Sequence, residues 1–227
     1  MRLFKRKLGL DGQLSYSQCG EDVIVAFLLE LLKIESPTYL DIGAHHPTRL
    51  NNTYLLYKRG CRGVNVEPDP NLIRAFHRLR KRDVNVNVGI GPKAGKLDFF
   101  VMSVPTLNTF SEAEARRCER ESGFKIVEKL PIEVMTFDAV VARHLGRTPD
   151  FVSVDVEGYD LEVLRSIDFA KHRPRVFCVE TLSFSQTRAT ARKNEAIHAL
   201  LHEAGYRTYA DTYVNTIYVD EKIWAIS

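Results

Sequence analysis

The residues of this sequence that are best suited to chemistry follow short apolar runs. They are Asp41 and Gly43, Glu67, Asn87 and Gly89, Asp155 with Glu157 and Gly158, and Glu180 with Thr181. Each apolar run is typical of a buried strand. Because ligands of an open parallel sheet bind beyond the carboxyl ends of its strands, these positions predict one shared binding site.

The spacing between Gly43 and Glu67 indicates a nucleoside ligand. Glu67 follows Gly43 by 24 residues (67 − 43), close to the spacing at which an acid binds the ribose of a nucleotide cofactor. A carboxylate can accept hydrogen bonds from both hydroxyls of one diol. The alternative is a carboxylate that caps the helix after "PDPN".

The turn after the first strand lacks two of the glycines of a dinucleotide site. His45 and Pro47 stand where the second and third glycines would be, and those glycines let backbone amides approach a pyrophosphate. A cofactor without phosphate, such as S-adenosyl-L-methionine, does not need them. The turn therefore disfavours NAD and is compatible with S-adenosylmethionine.

Strand and helix patterns alternate along the chain and must position these residues. Strands are predicted at 38–42, 63–67, 84–88, 151–155 and 176–180, with helices between them. Segments 206–210 and 216–219 follow each other without a helix and should pair antiparallel. The prediction is an α/β, doubly wound, mostly parallel sheet with an antiparallel C-terminal hairpin. A helix over 21–34 should bury Val23, Ile24, Phe27, Leu28, Leu31 and Leu32 on one face.

Length and composition narrow the class of protein. The 227 residues predict one domain, divided into a basic arm (1–14), an N-terminal helical region (15–36) and an α/β core (37–227). No apolar run approaches the roughly 20 residues that span a bilayer, so stable membrane insertion is not expected. A net charge of +3 is too small to indicate nucleic acid. Four scattered cysteines and no export signal favour the cytoplasm. The sequence does not determine the oligomeric state and is compatible with a homo-oligomer.

Five segments resemble the FkbM-type S-adenosylmethionine-dependent methyltransferases. They are "SQCGED" (17–22), "YLDIGAHHP" (39–47), "VEPDP" (66–70), "NVGIG" (87–91) and "VDVEGYDLEVL" (154–164). The resemblance implies a class I methyltransferase fold, which is Rossmann-like, and methyl transfer to a hydroxyl of a sugar, glycoconjugate or related metabolite. By the match, Gln18, Asp41, Gly43, Glu67 and Asp155 would line the cofactor or reaction site. The neighbouring Ala44, His45, Pro68, Asn87 and Gly89 are assigned to the same cofactor site.

Asp155 is the best candidate for the general base or for a metal ligand, since it ends the fourth predicted strand. Glu157 is the alternative base, and either residue could instead cap the next helix. Asp155 and Glu180, together with Thr181, His45 or His46, could hold a divalent cation. Carboxylates suit Mg²⁺, whereas added imidazole favours Mn²⁺, Fe²⁺ or Zn²⁺.

The acceptor is expected to be a small molecule or carbohydrate. Asn108, Thr109 and Tyr159 could contact its hydroxyl groups, unless "VPTLNTF" is an ordinary loop. Arg49, Arg59 and Arg62 could bind a phosphate group of the acceptor or could be solvated charges. The sequence leaves two other functions open: an NAD-dependent oxidoreductase and a non-catalytic cofactor-binding partner of another enzyme.

Overall fold

A computed structural model describes residues 12–182 and 191–225 of the chain. Its main feature is a seven-stranded sheet in the order β3-β2-β1-β7-β8-β10-β9. Only β10 is antiparallel to its neighbours, β8 and β9. The strands are β1 (Thr38–Ile42), β2 (Arg62–Val66), β3 (Val84–Val86), β4 (Gly89–Ile90), β5 (Gly95–Met102), β6 (Ile126–Met135), β7 (Phe151–Val154), β8 (Val176–Glu180), β9 (Tyr206–Asp211) and β10 (Asn215–Asp220).

The helices cover both faces of this sheet. They are α1 (Glu21–Leu31), α2 (Tyr54–Lys58), α3 (Ile73–Leu79), α4 (Glu112–Ser122), α5 (Phe137–Val140, continued by a π-helical turn Val141–Leu145), α6 (Asp160–Arg165), α7 (Glu195–Glu203) and α8 (Glu221–Trp224), with a 3₁₀ turn at Pro105–Leu107. The strands are near-continuous apolar runs because both faces are buried. Of the two largest buried clusters, one contains residues of α5, α6 and α7 and the other contains residues of α1 and α2. The predicted doubly wound sheet with a closing hairpin is confirmed.

Helix α1 buries a face that overlaps only partly with the one predicted. Leu28 and Leu32 are buried as predicted, and Val25 and Leu29 are buried with them, whereas Phe27 and Leu31 are 57% and 44% exposed. The helix is apolar on most sides, so its sequence pattern does not single out one face. Two fully buried acids at its first turn, Glu21 and Asp22, anchor it instead.

A second sheet lies beside the main one and was not predicted as such. Strands β4, β6 and β5 form it, with β5 and β6 antiparallel. The sequence pattern predicts extended segments at 96–102 and 125–134 but not their pairing, which joins segments about 30 residues apart. The loop after β5 forms part of the wall of the cavity described below.

None of the helices in the described part of the chain has the length and apolar character needed to cross a bilayer. The basic arm predicted at 1–14 lies outside the described residues except for its last three positions.

Candidate active site

A cavity of about 460 Å³ opens at the carboxyl ends of β1, β2, β7 and β8. Strand order reverses between β1 and β7, and this is where doubly wound sheets bind ligands. The volume lies within the range of small-molecule sites. The lining residues include Gln18, Gly43, His45, Leu50, Glu67, Pro68, Leu72, Phe99, Leu107, Asn108, Phe110, Asp155, Val156, Glu157, Glu180, Leu182, Tyr213 and Val214.

Gly43 lets the ends of β1 and β7 approach each other closely. Its φ of +77° is left-handed, and an added Cβ would lie 1.8 Å from the carbonyl oxygen of Asp155. The backbone N–H of Asp155 donates to the carbonyl of Ile42 at 3.0 Å. Glycine is therefore required here both for its backbone conformation and for space.

Glu67 lies in the cavity wall and also holds the loop after β1. It is buried, and its Oε2 accepts a hydrogen bond from the backbone N–H of His45 at 2.7 Å. Its Oε1 accepts from the backbone N–H of Asp69 at 2.8 Å. Burial raises the pKa of Glu67 to about 8, although both N–H bonds favour the ionised form. A carboxylate has about four acceptor positions, so two remain for a ligand.

The loop after β1 is held by side chains rather than by glycines. Asn51 Nδ2 donates to Asp41 Oδ2 at 3.0 Å and to the carbonyl of Ala44 at 3.2 Å, and Thr53 Oγ1 donates to Asp41 Oδ2 at 2.8 Å. Asp41 is buried in this network and, like Ala44, is not a lining residue of the cavity. Its predicted place in the cofactor site is therefore that of a support for the loop.

Two other predicted cofactor residues also support the wall rather than line it. Asn87 Nδ2 donates to the carbonyls of Glu67 and Pro68, both at 2.8 Å. An added Cβ at Gly89 would lie 2.5 Å from the ring of Phe110, which does line the cavity.

Three carboxyl groups converge at the ends of β7 and β8. Ligand oxygens of Asp155, Glu157 and Glu180 lie within 4.8 Å of one another, and each residue is only partly accessible. Burial, then the negative charges of Asp160 and Asp41, raises the pKa of Asp155 to about 7. Burial and the neighbouring carboxylates raise the pKa of Glu180 well above its ordinary value, and its hydrogen bond with Asp155 stabilises the protonated form. Both effects favour the protonated form of Glu180, and the same hydrogen bond favours the ionised form of Asp155.

Glu157 reaches this cluster through a strained backbone. Its φ is +49°, a conformation that side-chain-bearing residues rarely adopt. Thr109 Oγ1 donates to its carbonyl at 2.8 Å, and Asp160 accepts from the N–H groups of Val156 and Gly158 at 3.0 and 3.1 Å. Strain of this kind is common at functional sites. Sequence reasoning did not single out Asp160, although it lies in the "VDVEGYD" segment.

Two of the predicted metal ligands point elsewhere. Thr181 Oγ1 bonds Thr216 Oγ1 at 2.8 Å and Lys193 Nζ at 2.9 Å. His46 Nδ1 accepts from the backbone N–H groups of Thr48 and Arg49 at 3.2 and 3.1 Å, which closes a local turn. His45 lines the same cavity as the acidic cluster.

Of the three residues predicted to contact the substrate, one lines the cavity and two do not. Asn108 lines the cavity, with its Nδ2 donating to Asp69 Oδ2 at 3.0 Å, so it belongs to the wall near Glu67. Thr109 is buried and bound to the carbonyl of Glu157. The ring of Tyr159 packs against Phe110, with centroids 6.0 Å apart, and is not a lining residue. Arg49, Arg59 and Arg62 are not lining residues either, and Arg59 pairs with Glu30.

The N-terminal segment closes one end of the cavity. Gln18 lines it, and the nearby carboxylate of Glu21 accepts from Thr212 Oγ1 at 2.7 Å and from Asn215 Nδ2 at 3.0 Å. These bonds fix the segment against the β9–β10 turn, where Tyr213 lines the cavity with a φ of +77°. Sequence reasoning missed Glu21 and Tyr213. Glu21 lies in the quoted "SQCGED" segment, whereas no local pattern marks Tyr213.

The cavity wall is acidic. Among the described residues that line it, four carry carboxyl groups and none is lysine or arginine. The wall therefore offers a phosphate no cationic side chain, whereas an ionised Asp155 favours a cationic ligand.

Comparison with known proteins connects this site to a family. The chain matches the family profile of the methyltransferase FkbM domain over residues 41–208. No curated protein sequence matches it with significant similarity.

Three solved structures illustrate what the fold is similar to. One is a Burkholderia thailandensis 1,6-didemethyltoxoflavin-N1-methyltransferase with bound S-adenosylhomocysteine (12% identity, 96% of this chain and 83% of the other, TM-score 0.41). The second is a TehB-like SAM-dependent methyltransferase from Corynebacterium glutamicum (11%, 96% and 95%, 0.46). The third is a precorrin-6y C5,15-methyltransferase from Geobacter metallireducens (14%, 87% and 87%, 0.40).

Proposed function

Since the chain belongs to the FkbM methyltransferase family and is thus an S-adenosylmethionine-dependent methyltransferase, we propose that it methylates a hydroxyl group of an uncharged sugar or related polyhydroxyl metabolite. The observation that carries this proposal is the carboxylate of Asp155, which lies in the wall of a cavity whose described lining residues include no lysine or arginine.

The residues present fit the cofactor. Gly43 and His45 supply the turn after β1, and Glu67 retains acceptor positions for the two hydroxyls of a ribose. Leu72, Phe99, Leu107 and Phe110 line the cavity and offer apolar contacts to a flat base. Four carboxyl groups without a basic partner in the described wall disfavour a pyrophosphate, which weighs against the NAD alternative. When bound, S-adenosylmethionine supplies a methyl carbon that its sulfonium already activates.

Asp155 is proposed as the general base. A hydroxyl group becomes a good nucleophile only as its proton leaves, and a base with a pKa near the operating pH accepts that proton well. Burial raises the pKa of Asp155 to about 7. The hydrogen bond with Glu180 favours the ionised form of Asp155 and helps to fix the orientation of its carboxyl group. Glu157, in the same cluster, offers further carboxyl oxygens to a ligand, and burial together with the charge of Asp155 raises its pKa well above the ordinary value.

The charge of the wall limits the acceptor. The described lining gives a phosphorylated or carboxylated acceptor no cationic partner, and an ionised Asp155 would repel it. Hydroxyl groups of a neutral acceptor can instead donate hydrogen bonds to the same oxygens. We therefore propose an uncharged sugar or related polyhydroxyl metabolite, rather than a sugar phosphate, as the acceptor. This proposal gives Arg49, Arg59 and Arg62 no phosphate to bind.

The same three carboxyl groups also support a second candidate, a divalent cation that would bind the acceptor oxygen. Their oxygens lie within 4.8 Å of one another, and oxygen ligands suit Mg²⁺ or Mn²⁺. Treatment with EDTA separates the two mechanisms. An enzyme that relies on a general base alone should keep its activity in EDTA. An enzyme that depends on a cation should lose its activity and recover it when Mg²⁺ or Mn²⁺ is added.

Incubation with methyl-labelled S-adenosylmethionine and matched acceptors tests the proposal. The panel pairs methyl glucosides and galactosides with their phosphorylated forms, and mass spectrometry locates the transferred methyl group on oxygen. Label on the neutral sugars only is expected for the wild type, with little for Asp155→Asn. Preferential methylation of the phosphorylated forms would refute the proposed acceptor class.

A cytoplasmic location is also proposed, since all four cysteines are free thiols.

A further inference from the structure

Arg80, at the C-terminal end of α3, is a fully buried cation at the centre of a hydrogen-bonded network. Its Nε donates to Asp83 Oδ2 at 2.8 Å, and this ion pair is itself without solvent exposure. Its Nη2 donates to Tyr39 Oη at 3.0 Å. Tyr39 Oη in turn lies 2.8 Å from both oxygens of Asp83. Asp83 and Tyr39 therefore connect the guanidinium to the main sheet.

The remaining donors of Arg80 reach the loop after β1. Nη1 donates to the carbonyl of Pro47 at 3.1 Å and to Asn51 Oδ1 at 3.2 Å. Nη2 also donates to Thr53 Oγ1 at 3.0 Å. Asn51 and Thr53 are the residues whose side chains bind Asp41 and, through Asn51, the carbonyl of Ala44.

Aromatic rings of α2 enclose the same guanidinium. Its Cζ lies 4.7 Å from the ring centroid of Tyr57 and 5.6 Å from that of Tyr54. Arg80 is thus surrounded by the loop, by the first strand and by the helix that follows the loop. A planar guanidinium with five donors can satisfy this set, whereas a lysine ammonium cannot.

We propose that Arg80 is a positioning residue for the cofactor, because it holds the loop that carries Gly43, His45 and Leu50 into the cavity wall. Side-chain bonds from one buried cation thereby perform the role that closely packed glycines have in a dinucleotide loop. The inference rests on the proposed placement of the cofactor beside this loop. It adds a residue that does not line the cavity, and whose effect on binding passes through Pro47, Asn51 and Thr53.

Two conservative variants separate loop positioning from general stability. Thr53→Val removes a hydroxyl on the loop side of Arg80, and Tyr39→Phe removes a hydroxyl on the sheet side. Both hydroxyls are buried partners of the same guanidinium. Arg80→Lys is the direct variant, and the pair Thr53→Val and Tyr39→Phe carries the test if that protein does not fold. Calorimetric titration with S-adenosylhomocysteine gives the Kd of each, and thermal unfolding gives its Tm.

The Kd of S-adenosylhomocysteine should be about tenfold higher for Arg80→Lys and for Thr53→Val than for the wild type. The Kd of Tyr39→Phe should stay within about twofold of the wild-type value, although its Tm should fall about as much as that of Thr53→Val. The Arg80→Lys/Thr53→Val double variant should weaken binding by less than the product of the single effects, because both lose the same bond. The inference would be overturned if the loss of affinity for S-adenosylhomocysteine followed the loss of Tm across all variants. It would also be overturned if Tyr39→Phe weakened binding as much as Thr53→Val.

Glu67→Gln keeps the two proposals distinct. Unchanged affinity in Glu67→Gln together with weakened Arg80→Lys would reject the placement of the ribose at Glu67 while retaining the role of Arg80. The reverse pattern would reject the role of Arg80 alone.

Discussion

The carboxylate of Glu67 accepts a hydrogen bond from the backbone N–H of His45 across 2.7 Å, which joins the end of β2 to the loop after β1. His45 occupies a left-handed conformation with φ +51°, and the bond helps to stabilise that turn. One residue thus serves both the loop and the proposed ribose contact, which links the geometry of the loop to the binding of the nucleoside.

Glu67→Gln should weaken S-adenosylhomocysteine binding by about tenfold or more. The amide offers only one acceptor oxygen and would direct an NH₂ group at a backbone N–H donor, either His45 or Asp69. Calorimetric titration measures the effect. Glu133→Gln, an exposed carboxylate on β6, is the matched control and should bind normally. Normal binding by Glu67→Gln would remove the main support for the proposed cofactor placement.

Asp155→Asn should lower kcat by about 100-fold or more, with a change of less than about threefold in the Kd of S-adenosylhomocysteine. In the wild type, kcat/KM should rise with pH and level off above about pH 7, since burial raises the pKa of Asp155 to about 7 and the base must be ionised. Asp98→Asn, an exposed acid on β5, is the control. A wild-type profile that is flat between pH 6 and 8 would contradict the role of Asp155 as the base.

The stability of the ligand-free protein should fall as pH rises toward 8, most clearly between pH 6.5 and 8, where the histidines no longer titrate. Burial raises the pKa of Asp155 to about 7 and of Glu67 to about 8, so between the unfolded-state pKa of each group, about 4, and its folded-state pKa the folded state binds a proton that the unfolded state releases. The free energy of unfolding decreases over that range by about 1 kcal/mol per pH unit for each group and levels off above its folded-state pKa. Burial lowers the pKa of His45 and His46 below 6.5, which has the opposite effect only at lower pH. Differential scanning calorimetry measures the trend.

Variants identify the source of that pH dependence. Asp155→Asn and Glu67→Gln should each flatten the decline of Tm between pH 6.5 and 8.5, whereas Asp98→Asn should leave it as in the wild type. An equal decline in all four proteins would show that neither Asp155 nor Glu67 is its source.

Gly43→Ala should destabilise the protein and abolish cofactor binding. The added Cβ would lie 1.8 Å from the carbonyl oxygen of Asp155, and the backbone is left-handed. Gly146→Ala is a matched control, because its φ is +70° and an added Cβ would meet nothing within 4 Å. Gly146→Ala should cost about 1 kcal/mol and Gly43→Ala at least 2–3 kcal/mol. Urea denaturation gives both values, and equal losses would show that contact with Asp155 is unimportant.

The sequence by itself determined the layout of the sheet. Buried parallel strands are written as continuous apolar runs, so all five parallel strands of the main sheet and the closing hairpin could be predicted, with errors of only a few residues at their ends. The residue types at the strand ends located the cavity, and the distance from Gly43 to Glu67 indicated the kind of cofactor. These features are local, and they follow from the period of side-chain burial.

The tertiary structure decided which of these side chains meet. Asp41 ends a strand as Asp155 does, yet bonds with Asn51 and Thr53 turn it into the loop network, away from the cavity. Glu157 lies beside Asp155 and Glu180 because its backbone is left-handed, and no local sequence pattern predicts that conformation. Arg80 lies 27 residues from its partner Thr53 and 41 from its partner Tyr39. A strand end sets where a residue is, but turn dihedral angles and long-range hydrogen bonds set where its side chain points.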